Sequence, residues 1–158
     1  MKTILLTQGK TARVDDSDYV LVSQVRWYAA RHGFLWYAQR HSSRVDGRQR
    51  TIFLHHAIMG AIRVDHKDGD GLNCQRNNLR PASAQQNACN RRKHMTTTSR
   101  FKGVTKHSSG KWQAQIQVNK KSLYLGLFLS EHEAACVYDQ AASLHFKEFA
   151  ALNETEQP

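Results

Sequence analysis

Hydrophobic positions in the first third of the chain alternate with polar ones, and turn residues break the alternation at short intervals. Ile4-Leu5-Leu6, Gln8-Gly9-Lys10 and Ala12-Arg13-Val14 predict strand, turn and strand. Asp15-Asp16-Ser17-Asp18 then offers capping side chains to a short helical turn that carries Tyr19, Val20 and Val22. A second strand pair is expected from residues 25–30 and 34–40 around Arg31-His32-Gly33. Its Trp27, Tyr28, Trp36 and Tyr37 are expected as cross-strand pairs rather than as a base-stacking platform. Residues 51–54 read as a strand running into a short helix over 56–60. Residues 63–66 and 79–81 are strand-like pieces on either side of a turn-rich loop. Ser83 and Gln86, at capping-box spacing, then open a helix over 85–93.

From Met95 to Ser99 the chain is polar with poor helix propensity, which predicts a linker. Beyond it, residues 103–107, 111–118 and 122–128 alternate as three strands with turns at 108–110 and 119–121. Ser130 and Glu133 form a second capping box, opening a helix to about Phe146. Its expected inward stripe is Ala134, Val137, Tyr138, Ala141 and Leu144. The expected class is α+β, in five stretches. They are a small β-sheet region over 1–48, strand–loop–strand–helix over 49–94, a linker over 95–100, a three-stranded antiparallel sheet packed on one C-terminal helix over 101–153, and a tail over 154–158.

A length of 158 residues suits one ordinary domain or two small modules, and 40% hydrophobic content with two prolines argues for folded structure throughout. No apolar run approaches the roughly 20 residues of a membrane span. Ile4-Leu5-Leu6 after Met1-Lys2 is too short an apolar region for a signal peptide. A cytoplasmic protein, in a bacterial host if the chain is of phage origin, is therefore expected. Cys74, Cys89 and Cys136 are odd in number and lack C-x-x-C spacing, which disfavours a disulfide framework and a zinc finger and leaves small, reduced, buried or semi-buried thiols.

Charge changes the picture more. The net charge is +10, and residues 71–130 hold eleven Lys or Arg and no Asp or Glu. A one-sign segment of that length repels itself unless it faces a polyanion. Phe101, Trp112, Tyr124 and Phe128 lie within it, so it is folded, basic and aromatic together, which points to nucleic acid. No basic amphipathic helix of useful length offers a membrane surface instead.

Against that basic background, Asp65, Asp68 and Asp70 gather around His66 in RVDHKDGDGLNCQRNNLRP. Such a cluster suggests a bound cation, a tight polar turn, or both. On a strand, Asp65 and His66 point to opposite faces, so a metal can sit on one while the other addresses a water. Asn87 is a neutral oxygen donor able to complete a hard-cation site. One carboxylate and one amide leave positions for water and phosphate, an arrangement that suits magnesium, with manganese as the alternative. Phosphodiester cleavage needs an activated water and neutralisation of developing charge, and a neutral histidine and a metal supply these.

Val64-Asp65-His66, Gly69, Asn78-Leu79-Arg80 and Gln86-Asn87 together resemble the HNH endonuclease motif of the phage homing type. The segment LHHAIMG ending at Gly60 is similar to the one that usually precedes that motif, and residues 3–48 resemble the N-terminal sheet of such phage proteins. The resemblance implies a ββα-metal nuclease module over 49–94. It makes His66 the general base, Asp65 and Asn87 the metal ligands, and Asn78 the brace of the loop presenting His66. Asp68 and Asp70 are left as turn residues.

Residues 101–153 resemble the APETALA2 and ethylene-response-factor type of DNA-binding domain. The matching residues include Phe101-Lys102-Gly103-Val104, Gly110-Lys111-Trp112, Tyr124-Leu125-Gly126-Leu127-Phe128, Tyr138-Asp139 and Leu152-Asn153. That resemblance implies a sheet entering the major groove of double-stranded DNA with the helix behind it. The DNA face carried over is Lys102, Thr105, His107, Gln113, Gln115, Gln117 and Tyr124, with Trp112 in the core. The linker from Arg91 to Arg100, through Arg92 and Lys93, is expected to follow the phosphate backbone, spanning at most roughly 33–36 Å. Two unlike DNA-facing modules in series and no apolar seam predict a monomer on an asymmetric site. The expected function is a site-directed, metal-dependent homing-type DNA endonuclease. The alternatives are a non-catalytic DNA-binding regulator with a decayed nuclease module and, less well matched to the acidic loop, a structural RNA-binding protein.

Overall fold

The computed structural model describes residues 1–153 apart from Val45, Ile62, Arg92 and residues 94–97. The expected tail at 154–158, and the part of the expected linker that falls on 95–97, lie outside the described residues. The chain divides into two compact units, residues 1–87 and 88–158. Both are mixed α+β with small antiparallel sheets, as the hydrophobic pattern indicates.

In the first unit β1 (Lys2–Leu5) and β2 (Thr11–Val14) form a hairpin, and α1 (Asp16–Val22) follows. Strands β3 (Tyr28–His32), β4 (Leu35–His41) and β5 (Thr51–Phe53) make a meander that runs into α2 (Leu54–Met59). A left-handed Gly60 ends α2 and donates its N–H to His56. Strands β6 (Val64–His66) and β7 (Leu79–Pro81) pair next, and α3 (Ala84–Cys89) begins after them. The expected capping box is complete: the Ser83 N–H donates to Gln86 Oε1 at 2.7 Å, and the Gln86 N–H donates to Ser83 Oγ at 3.2 Å. The helix stops at Cys89, four residues earlier than expected.

One apolar core crosses residue 48, where the sequence suggested a division. Ile4, Val14 and Val22 pack in the same cluster as Leu54, Val64 and Leu79. The chain from Leu72 to Cys74 lies along β2, with the Arg13 N–H donating to Leu72 O at 2.9 Å and the Cys74 N–H to Arg13 O at 2.8 Å. Asp15 does not cap α1 through its side chain. Its carboxylate accepts instead from the Arg76 N–H at 2.8 Å and from Gln75 Nε2 at 3.2 Å, and the Arg76 bond is the main cause holding its pKa low. Asp18 takes the Arg76 guanidinium at 2.7–2.8 Å. Loop contacts therefore compete successfully with the local cap.

The four aromatics of the meander do not pair with one another across the strands. Tyr28 faces Gln39, Tyr37 faces Ala30 and Trp36 faces Arg31. Trp27 is buried and donates its indole N–H to Val22 O, while Lys10 lies over the Trp36 ring. The register that decides this depends on which residues close the hairpin, and a count of aromatics does not reveal it.

In the second unit β8 (Val104–Lys106), β9 (Trp112–Val118) and β10 (Lys121–Phe128) form an antiparallel sheet in the order β10-β9-β8. Helix α4 (Glu131–Phe146) packs on it and a short 3-10 turn follows at Lys147–Phe149. Ser130 Oγ accepts from the His132 N–H at 3.2 Å, so the expected N-cap forms two residues along rather than three. The buried face of α4 is Ala134, Ala135, Tyr138 and Ala142, whereas Leu144 is exposed. Small residues set that face because the helix lies close on the sheet. At Gly103, with φ +77°, an added Cβ would meet the Tyr138 ring at 1.9 Å, so only glycine fits.

Candidate active site

Strands β6 and β7 are only three residues each, yet their register determines much of the site. Val64 faces Pro81, Asp65 faces Arg80 and His66 faces Leu79. Asp65 and Arg80 are directly opposite, and Arg80 holds Asp65 Oδ2 through Nε at 2.8 Å and Nη2 at 2.7 Å. Both are buried, at 3% and 8% exposure. The sequence reading did not single out Arg80 for this role. The pairing of the two strand-like pieces was legible, but the register that sets Arg80 opposite Asp65 was not.

Between the strands, the loop is held by its own polar side chains. Asn78 Oδ1 accepts from the Asp68 N–H at 3.1 Å, and Asn78 Nδ2 donates to Asp68 Oδ1 at 3.0 Å and to Asn73 O at 2.8 Å. Asp68 also accepts from the Asp70 N–H and from Asn73 Nδ2. Burial pushes the Asp68 carboxyl upward, but these donors outweigh it and the pKa is lowered. Asp70 accepts from the Leu72 N–H at 3.0 Å and pairs with Arg13 at 2.9 Å. The backbone of His66 joins in, its carbonyl accepting from the Gly69 N–H at 2.9 Å. The loop is thus a braced turn that begins directly after Asp65 and His66 on β6.

His66 is 6% exposed. Its ring meets His55 edge-on at 4.8 Å and Tyr37 at 5.9 Å between centroids. Tyr37 is tied to the loop by a close approach at Gly71, where an added Cβ would lie 2.6 Å from the Tyr37 ring and 2.4 Å from Trp36 O. Burial lowers the His66 pKa below its ordinary 6.5. Asp68, Asp65 and Asp70 oppose that shift and His56 adds to it. The imidazole is therefore held towards its neutral, proton-accepting form. Tyr37 and His55 were not among the candidate residues, because the aromatic pattern of β4 and the histidines of α2 do not indicate which ring they will meet.

His55 is 5% exposed, and burial, with repulsion from His66 and His56, holds it down to about 2. Below pH 6.5 the unfolded chain takes up a proton at this residue that the folded chain refuses, so stability falls as pH falls. The slope is about 1.4 kcal/mol per pH unit, or about 2 kcal/mol between pH 6.5 and 5. Urea midpoints at pH 7 and pH 5 should show that loss, and His55→Gln should reduce it. An unchanged pH dependence in the variant would assign the acid sensitivity to other groups.

Asn87 is exposed on α3, its N–H donating to Ser83 O at 3.0 Å. The remaining candidates lie in the second unit. Thr105 faces Gln113, Gln115 faces Tyr124 and Gln117 faces Ser122, so these residues share one sheet face opposite the buried Ala114 and Ile116. These residues are uncharged, and Leu127, opposite Gln113, adds an apolar member to the face. His107 Nδ1 accepts from the Ser109 N–H at 3.2 Å. Arg91 is exposed, and Arg100 is exposed with its guanidinium 4.7 Å from the Phe101 ring centroid. Arg92 lies outside the described residues.

Two lysines are turned onto the main chain. Lys102 Nζ donates to Cys89 O and Arg91 O, each at 2.6 Å, and Lys93 Nζ donates to Phe101 O and Val104 O. Burial lowers the pKa of both ammonium groups. They cap carbonyls at the entry to the second unit, a role that spacing alone does not distinguish from phosphate binding.

No family model matches the chain. An uncharacterized HNH endonuclease of Acanthamoeba polyphaga mimivirus is 30% identical over 149 residues, covering 94% of this chain and 78% of the relative. The chain belongs to the HNH endonuclease family. This HNH protein also matches an AP2/ERF and B3 domain-containing transcription factor of Arabidopsis thaliana, 39% identical over 64 residues. An APETALA2-like protein 2 of Oryza sativa is 51% identical over 47 residues. Those matches cover 40% and 28% of the chain but only 18% and 11% of the plant proteins, so the likeness is to one domain of each. The HNH chain therefore combines a nuclease-type module with an APETALA2-type module. Among the described residues no helix is long and apolar enough to cross a membrane.

Proposed function

We propose that the chain is a site-directed, divalent-metal-dependent DNA endonuclease of the homing type. The observation that carries the reading is His66: a buried imidazole kept towards neutrality, adjacent to a buried carboxylate and presented by a loop braced through Asn78 and Asp68. In the reaction His66 accepts the proton of the attacking water, and Asn78 keeps the loop that positions it. Tyr37 and His55 pack against the ring edge-on.

Asp65 and Asn87 would hold the divalent ion, most simply magnesium. A carboxylate and an amide oxygen are hard donors that suit such an ion, and Arg80 fixes the carboxylate by gripping Oδ2. When bound, the metal would neutralise charge on the phosphate and leaving oxygen. The neutral face of Thr105, Gln113, Gln115, Gln117 and Tyr124 would read base edges in the major groove, where glutamine pairs with adenine. Affinity would come from the basic residues around it, as a monomer on an asymmetric site.

Supercoiled plasmid carrying target sequence, incubated with the protein, should be nicked or linearised with magnesium and left intact with excess chelator. One observation favours the second reading, a DNA-binding regulator without nuclease activity: Arg80 already neutralises the only carboxylate of the proposed ligand pair. A footprint with no cleavage at any divalent-metal concentration would establish that reading instead.

A further inference from the structure

A second set of potential ligands lies beside the site just described and differs from it in chemistry. One donor atom each from His55, His66 and Cys74 lie within 4.8 Å of one another, and all three residues are buried. They come from α2, β6 and the loop between β6 and β7, so they are far apart in sequence and are brought together by the fold. His55 Nδ1 is buried without a hydrogen-bond partner among the described residues, an arrangement that costs about 1–3 kcal/mol unless something occupies it. Zinc bonds of about 2.0–2.3 Å bring tetrahedral ligands roughly 3.3–3.7 Å apart, so closing around an ion requires movements of about 1 Å.

We propose that His55, His66 and Cys74 form a site for a thiophilic divalent cation, zinc first, separate from the Asp65 and Asn87 pair, and that its occupation switches the enzyme off. Two imidazoles and a thiolate are borderline-to-soft donors that select zinc or cobalt over magnesium. Three protein ligands leave a fourth position for water. Cysteine binds such a metal as the thiolate, so loading the site releases the Cys74 thiol proton to solvent.

Inhibition follows from the structure of imidazole, and this part rests on the assignment of His66 as the base. A neutral ring carries one proton on its two nitrogens. A metal on either nitrogen keeps the proton on the other, and no lone pair then remains to accept a proton from water. Zinc and catalysis therefore compete for the same side chain.

Cobalt is the first probe because its spectrum reports ligands without reference to cleavage. Purified full-length chain, reduced and equilibrated with one equivalent of Co²⁺ in the presence of excess Mg²⁺, should show tetrahedral visible bands and a thiolate-to-cobalt charge-transfer band. Cys74→Ala should abolish the charge-transfer band, and His55→Asn should abolish the tetrahedral spectrum. A wild-type spectrum with no thiolate band overturns the site, whether or not any variant folds.

In the cleavage assay, equimolar Zn²⁺ over excess Mg²⁺ should slow the wild type by about 10²-fold or more, the worth of the base it removes. Cys74→Ala, compared with its own Mg²⁺-only rate, should resist. Equal zinc sensitivity in both proteins would refute the inhibitory role, because zinc would then be acting at the hard-cation pair. If the plasmid is never cut, the nuclease reading fails while the cobalt spectrum still decides the site.

Discussion

Replacing His66 by alanine will slow DNA cleavage by about 10² to 10⁴, the usual contribution of a general base, while DNA binding persists. The separation is expected because His66 is buried in the first unit, whereas the neutral sheet face and most of the basic stretch belong to the second. Binding measured by gel shift and single-turnover cleavage measured on the same preparation distinguish the two effects. The wild-type pH profile provides an independent check. Burial lowers the His66 pKa, so the ring loses its proton below pH 6.5 and is neutral at pH 7, the form that the proposed base requires. The acid limb of the cleavage rate should therefore fall below pH 6.5, and it should be absent from whatever residual activity His66→Ala retains. Near-wild-type cutting by the purified variant would remove His66 from the mechanism.

Arg80→Ala should destabilise the protein by about 3–5 kcal/mol, the cost of leaving one member of a buried ion pair alone. Asp65 is 3% exposed and loses both of its contacts from the guanidinium at 2.7 and 2.8 Å. The Arg76–Asp18 pair has similar distances, but the Arg76 side chain is half exposed, so its loss should cost much less. Urea unfolding of Arg80→Ala, Arg76→Ala and the double variant Asp65→Asn with Arg80→Met tests the ordering. The double variant should recover much of the loss, because it removes the stranded charge as well as its partner. A loss below about 1 kcal/mol for Arg80→Ala would mean that water reaches the carboxylate and that the pair behaves as a surface contact.

His66 and Asp65 are neighbours with opposite electrostatic requirements. Burial disfavours charge on His66, whose ring packs against Tyr37 and His55, and a neutral ring is what the proposed base requires. Asp65, one residue earlier, needs a compensating cation to be buried at all. Arg80 supplies it across the strand pair. A short antiparallel pair achieves both because adjacent residues leave a strand on opposite sides.

What could be read from the residues alone was local. Turn chemistry marked the loop from Lys67 to Asn78, and capping-box spacing marked the start of α3 at Ser83 and Gln86. Alternation along Trp112–Val118 separated the Gln113, Gln115 and Gln117 face from Ala114 and Ile116. The one-sign charge of residues 71–130 pointed to nucleic acid, and the spaced Asp65, His66, Asn78 and Asn87 pattern resembled a family with which the mimivirus relative agrees. Each of these signals lies within a few residues of its consequence, or in a motif whose order survives as spacing.

Tertiary structure alone decided which side chains meet. Arg80 faces Asp65 through strand register, His55 and Tyr37 surround His66 through the packing of α2 and β4, and Cys74 joins them through a loop laid along β2. Lys93 and Lys102 have the composition of phosphate ligands but turn onto carbonyls, and Leu144 has the spacing of a core residue but faces water. The physical reason is common to all of them. Periodicity reports the conformation of a segment, whereas register, burial and the partner of a buried charge depend on residues distant in sequence, and only the folded chain brings those together.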